Sequence, residues 1–218
     1  MGATTATAAA DRGSGGAGCD AATATDGRAA RRQRNITAVL DVAVAMFTEG
    51  ELFPTVEQVS KRSGVSVRSI YRYFPEPADL HEAAIGRHRE RTEPLAHLPS
   101  IGQGSLADRI DDFVAMRLRL HDGVGATYRA TVHNAPNQPR LEEQLARARA
   151  DLRRQLERQF APELGELAVA DQAAVATASD VLTQLDSIEL LRHHRMLSVA
   201  DTEQTLRLGL RRLLGDPR

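Results

Sequence analysis

The chain has 218 residues, with 28 Lys+Arg against 29 Asp+Glu for a net charge of -1, an apolar share of 42% and a charged share of 26%. These proportions exclude a disordered, collagenous or membrane-embedded chain, and the length allows one or two domains. Aromatic residues make up only 4%, with no Trp, so the core must be built from Leu, Val, Ile and Ala, a composition that favours helices. The single cysteine, Cys19, excludes an internal disulfide and a multi-thiolate metal site. No apolar run is long enough to cross a bilayer and the N-terminus lacks a secretory h-region, so the expected location is the cytoplasm.

Residues 1–30 contain no Leu, Ile, Val or aromatic residue and are expected to form a disordered tail. From Arg31 the pattern changes. Ile36, Val39, Leu40, Ala43 and Phe47 form the stripe of an amphipathic helix that Gly50 ends. Thr55 and Gln58 have the spacing of a capping box, which predicts a second, short helix that carries Val56 and Val59 inward and stops at Ser63-Gly64. Ser66 is a suitable N-cap for a third helix with Ile70 and Phe74 buried; Pro75 and Pro77 end it and open a fourth, over about residues 78–91.

Beyond about Leu95 the helices lengthen. Leu106, Ile110, Phe113, Val114 and Leu118 mark one stripe, and a separate short helix is expected from Val124 to Asn134, bounded by Gly123 and Pro136. Leu141, Leu145, Ala148, Leu152 and Leu156 mark a long charged helix that Pro162 ends. The segment from Val169 to His193 is apolar nearly all round, which predicts burial on more than one side. Leu206, Leu210, Leu213 and Leu214 form a last helix, closed by Gly215 and Pro217.

Three short helices at 33–49, 55–63 and 66–74, with a glycine turn between the second and third, make a helix-turn-helix unit. Ile36, Leu40, Phe47, Val59, Val65, Ile70 and Phe74 supply its core. Val67, Arg68, Ser69, Tyr71, Arg72 and Tyr73 are left to point outward or along the rim, where they offer donors for phosphates and base edges. Residues 27–74 hold eight basic residues against four acidic ones, so positive charge gathers at this unit although the whole chain is nearly neutral. Arg28, Arg31, Arg32 and Arg34, just before the first helix, suit a basic arm along the phosphates or in the minor groove; a solvated charge run is the other reading.

In its run Ala45-Met46-Phe47 to Gly50, Thr55-Val56 to Val59, Ser63-Gly64-Val65-Ser66, Ile70-Tyr71-Arg72-Tyr73-Phe74-Pro75 and Leu80, the chain resembles the tetracycline-repressor (TetR) family of bacterial transcription regulators, over roughly residues 32–92. The resemblance implies an all-α homodimer in which residues 31–92 form the DNA-binding domain, with its motif at about 55–74. Residues 95–218 would then form a C-terminal bundle that binds an inducer and dimerises through its last two long helices. Carried over by position, Thr55 and Tyr71 become phosphate contacts, and Val67, Arg68 and Ser69 the base-facing start of the recognition helix. Two departures are Arg68, where the family has a small residue, and Pro77, where it has a Lys that contacts phosphate. Arg68 takes over that contact, reads a guanine through O6 and N7, or is a solvated surface charge.

Candidate inducer contacts are Phe113, Met116, Tyr128, His133 and Leu185, and candidate dimer contacts are Leu182, Leu185, Leu206, Leu210 and Leu213. With few aromatics and no obvious buried charge, an apolar or amphipathic inducer is expected. Gly102 to Ala107 match G-x-G-x-x-A, but no strand precedes them, so no dinucleotide cofactor is expected. His193 and His194 near Glu189 and Asp186 read as a polar helix end rather than a metal site. The chain therefore reads as a DNA-binding regulator, a repressor released by a small molecule, and not as an enzyme. The alternative is a small all-helical ligand carrier or enzyme that uses the C-terminal bundle.

Overall fold

The computed structural model of the chain describes residues 1–2, 19–52 and 54–215. Among these residues it is all-helical. Its α-helices are α1 (Cys19–Thr48), α2 (Val56–Ser63), α3 (Val67–Tyr73), α4 (Pro77–Thr92), α5 (Leu106–Asn134), α6 (Pro139–Gln159), α7 (Ala161–Glu166), α8 (Val169–Thr183), α9 (Leu185–Glu189) and α10 (Val199–Leu214). Short 3-10 turns lie at Glu93–Ala96 and Ala135–Asn137, and a π-helical turn at Leu190–His194. No described helix is long and apolar enough to cross a membrane. Serine and threonine set several helix starts. Thr55, Ser66, Ser105 and Ser198 each accept a hydrogen bond from the backbone N–H three residues on, one of the donors that a first turn leaves unpaired.

The buried side chains fall into two clusters. The first joins Val39, Ala43 and Phe47 of α1, Val56 and Val59 of α2, Ile70 of α3, and Leu80 and Ala84 of α4; it is completed by Ala130, Ala135, Leu141 and Leu145 from the end of α5 to the first half of α6. The N-terminal unit therefore borrows part of its core from the bundle behind it. Polar ties follow the same seam: Asn134 Nδ2 donates to Leu52 O at 3.1 Å and Gln144 Nε2 to Glu82 Oε1 at 3.0 Å. The second cluster centres on Ile110, Phe113 and Met116 of α5, packed against Leu156, Phe160, Ile188, Leu206 and Leu210. Tyr128 touches both clusters.

Four sequence expectations change. The first helix begins at Cys19, inside the span assigned to the tail, because alanine-rich sequence extends an anchored helix with no new nucleation cost. Residues 3–18, the rest of that tail but for Met1 and Gly2, lie outside the described residues, as does Pro217. The two helices expected around Gly123 are one, α5. Gly123 is a contact glycine, not a stop: a Cβ there would run into Leu95 of the 3-10 turn. Pro162 does not simply end α6 but lies in the first turn of α7, where its missing N–H costs nothing.

The apolar stretch 169–193 is the fourth. It breaks at Gln184, whose backbone is extended at φ -66, ψ 153. Side chains compensate for the interruption: Gln184 Nε2 donates to Asp180 Oδ1 at 2.7 Å and to Arg149 O at 3.2 Å, and Ser187 Oγ donates to Val181 O. One side of α8 is open rather than buried, with Ala173, Ala174, Thr177, Ala178 and Val181 exposed.

Candidate nucleic-acid interface

Two caps and one glycine set the geometry of α2 and α3. Thr55 Oγ1 accepts from Gln58 N at 3.2 Å while Gln58 Oε1 accepts from Thr55 N at 2.7 Å, the reciprocal box that the T-x-x-Q spacing predicts. At the far end of α2, Gly64 stands at φ 71, ψ 5, a left-handed conformation open to glycine without a Cβ penalty. Ser66 then caps α3, and its hydroxyl donates to Ser69 Oγ at 3.0 Å. Val65, Ile70 and Phe74 are buried beneath, so the opposite side of α3 must face outward. On α1, the Asp41 carboxylate meets Arg87 at 2.8 Å and Arg91 at 2.9 Å and so ties α1 to α4.

On the outer side of α3, Arg68, Tyr71 and Arg72 are exposed. Among the described residues Arg68 makes no ion pair or hydrogen bond. Val67 is half-buried against the first core, and the N–H and hydroxyl of Ser69 are both engaged with Ser66. Of the three residues expected to face bases, Arg68 is the one that projects. Thr55 and Arg34 are exposed, at the start of α2 and on α1 respectively. Arg62 is held in a two-point pair with Glu49, at 2.5 and 2.7 Å, and its charge is spent there.

Tyr73 does different work from Tyr71. It is half-buried, and its hydroxyl accepts from Asn35 Nδ2 at 3.3 Å and from Arg72 Nη2 at 3.2 Å. The guanidinium groups of Arg72 and Arg32 stand 5.3 and 5.8 Å from its ring centroid. The hydrogen bond from Asn35, then that from Arg72, hold the phenol below its ordinary pKa. Tyr73 thus fastens the end of α3 to α1. Sequence reasoning passed over Asn35 and did not link Arg32 to Tyr73; the signal was their three-residue spacing, which puts both on one face of α1.

The model of bacterial regulatory proteins of the tetR family matches residues 39–84, the span from α1 to α4 just described. Residues 39–84 thus form an N-terminal domain of the tetR-family type. Two solved structures share its TetR-like fold over most of their length. A transcriptional regulator from Rhodococcus sp. Rha1 superposes with a TM-score of 0.60 at 17% identity, covering 84% of this chain and 96% of that one. A putative TetR-family transcriptional regulator from Mesorhizobium loti MAFF303099 gives 0.58 at 16% identity, covering 85% and 97%. At these identities the likeness is one of fold. No curated protein matches the sequence significantly.

Behind this domain, the five candidate inducer contacts are not all together. Phe113, Met116 and Leu185 are buried in the second core, with the Phe113 ring edge-on to Phe160 at 5.2 Å. Tyr128 lies beside them, its hydroxyl donating to Asp186 Oδ2 at 2.7 Å, while Arg149 grips the same carboxylate at 2.7 and 3.0 Å. His133 is exposed on the last turn of α5 and does not join them. The expectation of no buried charge is wrong. Arg117 is fully buried, its guanidinium 4.4 Å from the Phe113 centroid, donating to Gln155 Oε1 at 2.8 Å and Leu152 O at 2.7 Å. Burial, partly offset by Asp180, pushes its pKa down to about 9. The candidate dimer leucines face inward: Leu206, Leu210 and Leu185 are buried in the protomer's own core, with Leu182 and Leu213 packed against it.

Proposed function

We propose that this chain is a TetR-family repressor that binds a pseudo-palindromic operator as a homodimer in the cytoplasm and leaves it when a small molecule enters the C-terminal bundle. The observation that carries the DNA reading is α3, a capped helix with Ile70 buried on one side and Arg68, Tyr71 and Arg72 exposed on the other. Arg side chains bind phosphate and read guanine edges, and the exposed arginines of α1 add a second basic element. Within α3 the roles divide: Arg68 and Tyr71 meet DNA, while Tyr73 holds the helix in place and Arg72 serves both.

The homodimer reading rests on the outer faces of α8 and α10. Val181 is 59% and Leu208 55% exposed, beside Ala173, Ala174, Thr177 and Ala178, side chains small enough for a second helix pair to approach closely. This face, and not the inward leucines, is the proposed interface, and two-fold pairing there would present two copies of α3 to successive turns of one DNA groove. For the inducer, the buried guanidinium of Arg117 favours an amphipathic molecule with a hydrogen-bond acceptor over a purely apolar one. Coupling between inducer and operator is expected at about 1–3 kcal/mol.

The test is binding of the purified protein to DNA upstream of its own coding region at two salt concentrations, beside Arg68→Ala/Arg72→Ala, with the mass in solution measured by sedimentation. The expected result is specific, salt-sensitive binding by a dimer, lost in the double variant. Weak, sequence-blind binding unchanged in the variant, or a monomer at micromolar concentration, would overturn the reading.

A further inference from the structure

Away from α3, three potential metal ligands that the sequence keeps far apart meet at one place. His121 of α5 has its Nε2 2.9 Å from Glu189 Oε2 at the end of α9, and His193 Nε2, on the π-helical turn, lies 3.8 Å from the same oxygen. One ligand atom from each of the three residues can be chosen so that all lie within 4.8 Å of one another. Metal–nitrogen and metal–oxygen bonds of about 2.0–2.2 Å in tetrahedral geometry place ligand atoms roughly 3.3 Å apart, so the cluster is within a small adjustment of that size. The adjustment falls on the most movable member. The side chains of His121 and Glu189 are only 9% and 14% exposed, whereas that of His193 is 52% exposed.

A cation already stands against two of the three. Arg129 Nη1 lies 3.3 Å from both Glu189 carboxylate oxygens and 3.4 Å from His193 Nε2. Its side chain is 39% exposed, so it can swing into solvent. Gly125, one helical turn after His121, keeps the approach open: a Cβ there would already touch Arg129 Nη1 at 3.5 Å and His121 Nε2 at 3.8 Å, and anything longer would enter the cluster.

We propose that His121, Glu189 and His193 form a binding site for a divalent first-row transition cation, with the Arg129 guanidinium occupying the position until the metal displaces it. Two imidazoles and one carboxylate suit Zn²⁺, Co²⁺, Ni²⁺ or Cu²⁺ better than Mg²⁺ or Ca²⁺, which prefer all-oxygen shells. Three protein ligands leave at least one position for water. The site clamps α5 to the π-helical turn and stands independently of the DNA-binding reading.

The test uses tag-free full-length protein, stripped with a chelator and titrated with Zn²⁺ against a chromogenic competitor and with Co²⁺ by its visible absorption. One ion per chain is expected. His193→Ala should weaken binding by at least about tenfold, a loss that even outer-shell changes produce at metal sites, with far-UV circular dichroism confirming the fold. His194→Ala should leave affinity unchanged, and Arg129→Met should tighten it by removing the competing cation. Absent binding, unchanged affinity in His193→Ala, or an equal loss in His194→Ala would overturn the site.

Discussion

Gly64→Ala should destabilise the protein by about 1 kcal/mol, through the backbone alone. A Cβ built on Gly64 meets no heavy atom within 4 Å, so packing contributes nothing to the cost. The residue stands at φ 71, where crowding of Cβ against the carbonyl costs an L-residue about 1–2 kcal/mol. Part of that is offset by roughly 0.4–1 kcal/mol, because alanine also restricts the unfolded chain. For a chain of this length the remainder is a fall in Tm of about 2–4 °C. Gly86 is the control. It lies inside α4, also with nothing within 4 Å of a built Cβ, so the same substitution there should stabilise by about 0.5–1 kcal/mol. Gly64→Asn should fall between Gly64→Ala and the native protein, since asparagine tolerates the left-handed region better than alanine. Urea unfolding followed by far-UV circular dichroism separates the three. If Gly64→Ala were as stable as the native protein while Gly86→Ala gained, the turn that aims α3 would not be left-handed in solution, and the placement of the recognition helix would fail with it.

Thr55→Ala should lose about 1 kcal/mol in the same assay by breaking the capping box, with Thr55→Ser close to native; equal losses in both would mean that the hydroxyl is not the cap. Arg68→Ala should alter base preference at one position per half-site, whereas Arg34→Ala should weaken binding evenly on all sequences; equal, sequence-independent losses in a competition assay would refute that division. For Asp186, burial opposes ionisation, but the hydrogen bonds from Arg149 and Tyr128 outweigh it and the pKa lies below the ordinary value. Its contribution to stability is therefore complete above about pH 4 and lost as the pH falls through the folded-state value. The gap in urea midpoint between native protein and Asp186→Asn should be open at neutral pH and close in acid; a gap independent of pH would count against the ion pair.

Much of the DNA-facing half was legible in the sequence because its determinants are local. The T-x-x-Q spacing specifies the α2 cap, Ser63-Gly64 the turn, and the spacing of Ile70 and Phe74 the buried side of α3, and each acts within a few residues. What local pattern could not divide was the work of the two tyrosines. Tyr71 and Tyr73 are alike in sequence, and only the crossing of α1 over α3, which brings up Arg32 and Asn35, makes one of them a fastener.

In the C-terminal bundle the balance reverses. The sequence alone determined that the chain is helical, that its N-terminal helices form a helix-turn-helix, and that Leu40, Phe47, Val59, Val65, Ile70 and Phe74 are buried in it, since helix periodicity and capping are properties of neighbours along the chain. Tertiary structure alone decided that Leu206 and Leu210 face inward, that Gly123 is a contact and not a break, and that Arg117 is buried. It also brought His121 beside Glu189 and His193, 68 and 72 positions further along. The physical reason is that a helix stripe shows that a face is apolar but not what covers it. Partner, spare face and enclosed charge are settled only when helices distant in sequence cross.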